Sequence, residues 1–331
     1  MSDYRRSLEE AARFMRDHDR FLIISHVNPD GDTTSSALAA ALMLEELRKT
    51  YVIVNEGETP SKFGFLPRFE QIRNLATDQL DESFSAVIAV DAADSLRMGG
   101  VRHLFAPDAI LLNIDHHPTN DSFGHINVIR TDAAATAEIM FELMEAGGFG
   151  FTKELAMCIY TGLLTDTGGF RYSNTSPNVM EIAAKMLRYG VKPGEIAERC
   201  LEEITLEHVQ ILRRSLQSLR LTHNNLVASL RVTHDDLADT GASSEDASGL
   251  VNYARNIEGV EVGLSFVETV PGIVKVSLRA RSFVDVSRIA KSLGGGGHAK
   301  AAGCTIKGEL AEVEQRVFAR LNDALGVSAD E

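Results

Sequence analysis

Apolar runs of strand length alternate with stretches of helical periodicity through the N-terminal part of the chain. Residues 5–18 place Leu8, Ala11, Ala12, Phe14 and Met15 on one face, which predicts an amphipathic helix. Residues 21–25 form a short apolar run ending in a polar loop, the pattern of a buried strand. Residues 36–47 are a long run of good helix formers, and 51–55, 86–90 and 109–114 are further apolar runs of strand length. Helical segments are expected at 134–146, 153–165 and 178–189. Strands alternating with helices predict a mainly parallel, doubly wound α/β sheet. In such sheets ligands gather beyond the carboxyl ends of the strands, so the polar residues just after each strand carry the chemistry.

The pattern changes at 189. Tyr189-Gly190-Val191-Lys192-Pro193-Gly194 reads as a turn, and two helical patterns follow with no strand between them. Strand-like runs return at 226–232, 260–267 and 273–278, followed by a helix near 285–293. A glycine-rich turn, a strand at 303–306 and a helix at 309–325 close the chain. The expected organisation is a catalytic domain over 1–188, a helical connector over 189–218 and a smaller α/β domain over 219–331. A length of 331 residues suits two domains, and 44% hydrophobic residues suffice for two ordinary cores.

No apolar run approaches the roughly 20 residues of a membrane span. The first 20 residues are polar and charged, so a cytoplasmic location is the expectation. Cys158, Cys200 and Cys304 are few and far apart. They read as buried small hydrophobes rather than a disulfide framework or a zinc site. A net charge of −14 argues against binding along duplex DNA, where a basic stripe is needed. The charge is uneven. Between 275 and 307 stand seven Lys/Arg (Lys275, Arg279, Arg281, Arg288, Lys291, Lys300, Lys307) against one acid, Asp285. That segment therefore carries +6 and the rest of the chain −20. A local basic patch on an acidic body suits a small anionic ligand; the plainer reading is a solvated basic face.

Four polar motifs sit at expected strand or helix ends. In Ser25-His26-Val27-Asn28-Pro29-Asp30-Gly31-Asp32, Pro29 forces Asn28 to be extended and Gly31 permits a tight turn. Such a loop can aim His26, Asp30 and Asp32 into one volume, a donor set suited to manganese or a similar ion, or its acids can simply cap the next helix. Asp91 follows the strand ending at Val90. Asp115-His116-His117 follows another; adjacent side chains of an extended segment point to opposite sides, so the two histidines are expected to do different jobs, with Asp115 orienting an imidazole. Asp166 stands where an apolar helix breaks into Gly168-Gly169. Each has a bland reading as a cap or turn. Together, five carboxylates and three histidines at the ends of one sheet would repel unless divalent cations sat among them. A fifth motif, Gly294-Gly295-Gly296-Gly297-His298 with Lys300 beyond it, lets backbone amides approach an anion closely, or serves as a flexible link.

On these residues the chain resembles the DHH phosphoesterase family with a C-terminal DHHA1 domain, over nearly its whole length. The matching pieces are His26 with Asp30-Gly31-Asp32, Asp91, Asp115-His116-His117, Asp166 and the Gly294–His298 run. Asn120 and Asn174-Thr175 follow the nano-RNase type, which joins oligoribonuclease and 3′,5′-bisphosphate nucleotidase activities. The chain departs from the family at Thr33-Thr34-Ser35-Ser36, where a small residue and Ile-Gly-Ser are usual, and at Ala135, where Ser is common; neither departure falls on an expected ligand. The resemblance implies two divalent ions, manganese first. His26, Asp30 and Asp91 would hold one. Asp32, Asp91, His116 and Asp166 would hold the other, with Asp91 bridging. His117, with Asp115 and Asp91, would serve the reacting phosphate. Asn120, Arg279, Arg281, Gly295, Gly296, Gly297 and His298 would contact substrate.

The implied substrates are single-stranded oligomers of about two to five nucleotides and 3′-phosphoadenosine 5′-phosphate, with linear di-adenylate as the alternative. A homodimer and the direction of cleavage stay open. A family II pyrophosphatase is disfavoured by the missing basic Ser-Arg-Lys-Lys signature. A RecJ-like exonuclease would need a longer chain and a broader basic path. A non-catalytic nucleotide-binding module would be expected to have lost ligands.

Overall fold

The computed structural model describes residues 2–27 and 29–325; Asn28, expected to be extended ahead of Pro29, lies outside them. Helix α1 (Ser2–Asp17) buries Leu8, Ala11, Ala12, Phe14 and Met15, the stripe its sequence predicts. Strand β1 (Phe21–Ile24) is buried on both faces: Phe21 and Ile23 join the larger core, Leu22 and Ile24 a second one. Burial on both faces explains why the strand reads as a continuous apolar run rather than an alternation.

Helix α2 (Gly31–Glu46) starts five residues earlier than its composition suggests. Asp30 is its N-cap and accepts from Thr33 N at 3.0 Å, so the Thr and Ser residues fall inside the helix. Residues 31–44 are all buried, which accounts for the unbroken run of small and apolar side chains over 37–44. The other elements of this part are β2 (Tyr51–Asn55), β3 (Ile72–Asn74), β4 (Phe84–Val90), β5 (Phe105–Asp115), β6 (Ile126–Ile129), α3 (Thr136–Gly147), α4 (Lys153–Asp166), α5 (Pro177–Arg188) and α6 (Pro193–Ala197).

The six strands form one parallel sheet in the order β3-β2-β1-β4-β5-β6. Winding reverses between β1 and β4, whose register pairs Ile24 with Ala89. That is the topological switch point, where loops leaving neighbouring strands part and open a crevice. The larger core packs one face of the sheet against the helices. The opposite face is covered by a thinner layer around the 3₁₀ segment Gly99–Leu104.

The chain divides into two units, Met1–Glu203 and Ile204–Glu331. Residues 189–218, expected as a separate connector, are shared between them. Helix α6 and the π-helical turn Glu198–Glu202 belong to the first unit, and α7 (Leu206–Gln217) to the second.

The second unit adds β7 (Arg220–Thr222), β8 (Val227–Val232), α8 (His234–Thr240), α9 (Leu250–Arg255), β9 (Val262–Val270), β10 (Ile273–Ala280), α10 (Val286–Ser292), β11 (Gly296–His298), β12 (Ala301–Lys307) and α11 (Leu310–Leu325). Its sheet runs β11-β12-β10-β9-β8-β7, antiparallel except for the β8–β9 pair. The four glycines are not a simple turn. Gly296–His298 is an edge strand on β12, with Gly297 opposite Ala302. A Cβ on Gly295 would lie 2.1 Å from Gly303 O, and Gly297 has φ +133° with Ala301 O 2.5 Å from an added Cβ. Tight backbone packing therefore demands at least two of these glycines without any ligand.

Buried Glu261 holds the loop between β10 and α10. Its carboxylate accepts from the amides of Ser282, Phe283 and Val284 and from Ser282 Oγ at 2.7–3.1 Å. All three cysteines are buried thiols. Among the described residues no helix is long and apolar enough to cross a membrane.

Candidate metal centre

Every expected acid and imidazole of the first unit lies around the mouth of the β1–β4 crevice. His26 follows β1, Asp30 and Asp32 open α2, Asp91 follows β4, Asp115 ends β5 with His116 and His117 beyond it, and Asp166 ends α4. His26, Asp32, Asp91, Asp115, His116 and His117 are buried, whereas Asp30 is exposed. Donor atoms of His26, Asp30 and Asp91 lie within 4.8 Å of one another, as do those of Asp32, Asp91 and His116. Asp91 is common to both groups. His116 Nε2 lies 3.4 Å from Asp166 Oδ2, which joins Asp166 to the second group.

Asp91 adopts φ +57°, in the left-handed region that few non-glycine residues occupy. Its Oδ2 lies 3.7 Å from His26 Nε2; its Oδ1 lies 3.6 Å from His116 Nε2 and 3.7 Å from His117 Nδ1. Burial works against its charge, but His117, His116 and His26 outweigh it and hold the carboxyl well below the usual range. Asp32 is raised instead, by burial first and then by Asp91 and Asp30, although it accepts from Thr136 N at 2.6 Å and Ala137 N at 2.9 Å. Asp166 is raised by burial and by Asp32, Asp30 and Asp91. It also stands at the carboxyl end of α4, where the helix dipole disfavours an anion.

The imidazole tautomers follow from their partners. A carbonyl oxygen only accepts, so the ring nitrogen facing it must carry the hydrogen. His26 Nδ1 lies 2.7 Å from Val27 O, and His116 Nδ1 3.2 Å from Ala133 O. His117 Nδ1 lies 2.8 Å from the Asp115 carboxylate. In the neutral form that a metal ligand must take, each ring's lone pair therefore falls on Nε2. On that side His116 faces the carboxylates of Asp91 and Asp166, and His26 faces the Thr33 hydroxyl at 2.8 Å with Asp91 beyond it at 3.7 Å. The donor set fits divalent cations: mixed imidazole and carboxylate, with backbone carbonyls setting the tautomers.

The His pair does not divide as the strand alternation predicts. Strand β5 stops at Asp115, so the alternation rule does not extend to His116 and His117. Their rings meet edge to face at 4.7 Å, and both have a nitrogen within 3.7 Å of Asp91 Oδ1. What separates them is the nitrogen each presents: Nε2 for His116, Nδ1 for His117. Burial lowers the His117 pKa, but Asp115 and Asp91 outweigh it and raise it above the ordinary value.

Asn120, expected at the substrate, is placed behind Asp115. Its amide donates to Asp115 Oδ2 at 2.6 Å and to Ala92 O at 3.0 Å, and its Oδ1 accepts from Asn113 Nδ2 and Ser122 N. Asn174 donates to Asp166 O and Ala134 O, tying the end of α4 to the segment before α3. In the second unit Arg281 donates to Val260 O, Arg255 O and Ile257 O at 2.8–3.0 Å, so its guanidinium fastens the end of α9. Arg279 Nη1 donates to Leu278 O at 3.0 Å.

Two hydroxyls that sequence reasoning passed over stand among the candidate donors. Thr33 Oγ1 is 2.6 Å from Asp91 Oδ2, and Thr136 Oγ1 is 2.9 Å from Asp91 Oδ1. Their signal was positional only: each lies in the first turn of a helix whose N-terminus faces the crevice. Gly162 of α4 makes room, since a Cβ there would meet Ala137 Cβ at 2.5 Å and Asp32 Oδ1 at 2.7 Å.

Residues 20–163 match the DHH family, N-terminal domain, and residues 224–326 match the DHHA1 domain. A bifunctional oligoribonuclease and PAP phosphatase NrnA from Thermus thermophilus is 35% identical over 304 residues, covering 92% of this chain and 89% of that protein. One of the same name from Bacillus subtilis is 28% identical over 300 residues, covering 90% and 92%. The crystal structure of an exopolyphosphatase-related protein from Bacteroides fragilis superposes with a TM-score of 0.87 at 23% identity, covering 96% of both chains, a likeness of fold.

Proposed function

The chain belongs to the DHH family, and from that premise we propose that it is a two-metal phosphoesterase. In this reading it hydrolyses oligoribonucleotides of about two to five nucleotides to mononucleotides, in keeping with a short basic segment on an acidic chain. It also converts 3′-phosphoadenosine 5′-phosphate to AMP, and it acts in the cytoplasm. The names of the Thermus and Bacillus relatives point to this pair of activities. The observation that carries the metal reading is the tautomer set. His26 and His116 each donate Nδ1–H to a backbone carbonyl, which directs Nε2 toward Asp91.

His26, Asp30 and Asp91 would hold one ion; Asp32, Asp91, His116 and Asp166 would hold the other. Manganese is the expected metal. Such ions would supply positive charge for the phosphoryl oxygens and a water acidic enough to attack at neutral pH. The chain's own residues do the rest. Asn120 fixes Asp115, and Asp115 fixes the His117 ring and raises its pKa. A His117 ring held in this orientation is suited to stabilise charge that builds on the phosphate. Arg279, His298 and the glycine edge strand carry nucleotide recognition in this reading. Arg281 supports them by holding the loop beside α9.

The test is a side-by-side assay of chelator-stripped protein with and without manganese. The substrates are a dinucleotide, 3′-phosphoadenosine 5′-phosphate and linear di-adenylate. Turnover of the first two is expected only with metal, with cobalt a substitute. Undiminished turnover after exhaustive chelation overturns the metal reading. Turnover confined to linear di-adenylate replaces the substrate assignment with a phosphodiesterase of cyclic-dinucleotide turnover.

A further inference from the structure

We propose that Thr33 and Thr136 are positioning residues that divide the Asp91 carboxylate between two ion sites, one threonine serving each site. The inference rests on the two-metal reading and adds to it two residues that are not ligands.

Both side chains are fully buried. A buried hydroxyl is costly unless its hydrogen finds an acceptor, and here each finds a different oxygen of one carboxylate. Thr33 Oγ1 reaches Asp91 Oδ2 at 2.6 Å, and Thr136 Oγ1 reaches Asp91 Oδ1 at 2.9 Å. Two bonds to two oxygens fix the plane of a carboxylate that stands on left-handed backbone past the end of β4.

The remaining contacts of the two threonines separate by site. Thr33 Oγ1 also lies 2.8 Å from His26 Nε2 and 2.9 Å from Asp30 Oδ1, the other donors of the first group. Thr136 gives its backbone amide to Asp32 Oδ2 at 2.6 Å, a donor of the second group. The Thr33 hydroxyl has one hydrogen for three acceptors, because the hydrogen of neutral His26 is committed to Val27 O. The shortest of its contacts assigns that hydrogen to Asp91. Threonine suits the task better than serine. Both residues lie in the first turn of a helix, where branching at Cβ restricts χ1 and holds the hydroxyl in place.

The experiment titrates chelator-stripped protein with manganese alone in a calorimeter. The unmodified protein is expected to show two binding events. His26→Ala marks one by removing it, and Asp166→Ala marks the other by weakening it. Thr33→Val keeps the shape and removes the hydroxyl. It is expected to weaken the His26-marked event about 10- to 100-fold, the range for partners that orient metal ligands, and to leave the other unchanged. Thr136→Val is expected to do the converse. Thr33→Ser and Thr136→Ser, which keep a hydroxyl, should recover most of the loss. If Thr33→Val fails to fold, as judged by circular dichroism of the metal-free protein, Thr33→Ala carries the test. Valine variants that titrate like the unmodified protein, or that weaken both events alike, overturn the proposal and leave the two-metal reading standing. An unmodified protein that takes up no manganese overturns both.

Discussion

Asp91 stands on left-handed backbone with three imidazole nitrogens within 3.7 Å of its two oxygens. Asp91→Asn keeps the shape but removes the charge that both groups share, so the purified variant is expected to lose both ions. Asp166→Ala, which touches only the second group, should lose mainly one. Metal analysis showing full occupancy in Asp91→Asn would contradict the bridging role. The histidines separate by the nitrogen they present. His116→Ala is expected to lower metal content. His117→Ala should keep its metals and lose turnover, by about 10²- to 10⁴-fold for a group that handles charge or protons at the reacting atoms. Equal metal loss in both variants would reject that division. The candidate donors were legible as a set, because five carboxylates and three imidazoles at the ends of one sheet are more than helix capping requires. Thr33 and Thr136 were not, because a threonine in a helix's first turn is chemically bland until its neighbours are known. Asn120 and Arg281 were half legible. The residue types suggested polar work, but several of their partners are backbone carbonyls, which leave no trace in sequence.

Helix N-termini and tight loops do the positioning at the next scale. The N-cap of α3 is Ala135, whose side chain cannot accept a hydrogen bond, and Asp32 reaches across from α2 to accept from both Thr136 N and Ala137 N. One carboxylate thus caps a helix and belongs to the second group of candidate metal donors. The loop at 282–284 is organised by the buried Glu261 carboxylate. Burial raises the Glu261 pKa, but Ser282, Val284 and Phe283 outweigh it and bring it below the ordinary value. A depressed carboxyl adds stability that is fully present above its unfolded pKa and is lost as pH falls through the folded one. Glu261→Gln is therefore expected to cost about 1.5–3 kcal/mol near neutral pH, the range for hydrogen bonds to a charged group. Below pH of about 4, around the ordinary glutamate pKa, the gap to the unmodified protein should shrink. Thermal melts of the metal-free proteins across pH check this, and a gap that widens in acid would reject it. Long elements were legible from periodicity and length. Strands β3, β6, β7 and β11 were not. They have three or four residues each and owe their conformation to a neighbouring strand rather than to a pattern of their own. The start of α2 was missed because its cap and complete burial override the weak helix propensity of Thr and Ser.

Across the whole molecule, the distribution of charge predicts which substrates are retained. The cationic surplus is confined to 275–307 and the rest of the chain is strongly acidic. A long strand leaving the site would meet few cations, and affinity driven by counterion release needs them along the path. Turnover is expected to fall steeply beyond about five nucleotides, and added salt to cost only a modest factor, because few phosphates are neutralised. A 24-mer degraded as fast as a dinucleotide at equal concentration of ends would point instead to a processive exonuclease. The order of the first sheet was legible only as parallel. Which strand lies beside which is not written in periodicity, and the switch point between β1 and β4 emerges from the register alone. That switch point has a kinetic consequence. Its ligands come from positions 26 to 166, and β1 reaches β4 only after the chain has wound through β2 and β3. Such long-range closure is slow and comes late on the way to the native state. Ions that bind only the finished crevice should then retard unfolding and leave the refolding rate nearly unchanged. Stopped-flow measurements in denaturant with and without manganese would show a shift of the unfolding limb alone; a matching acceleration of refolding would mean that the crevice is already assembled at the barrier.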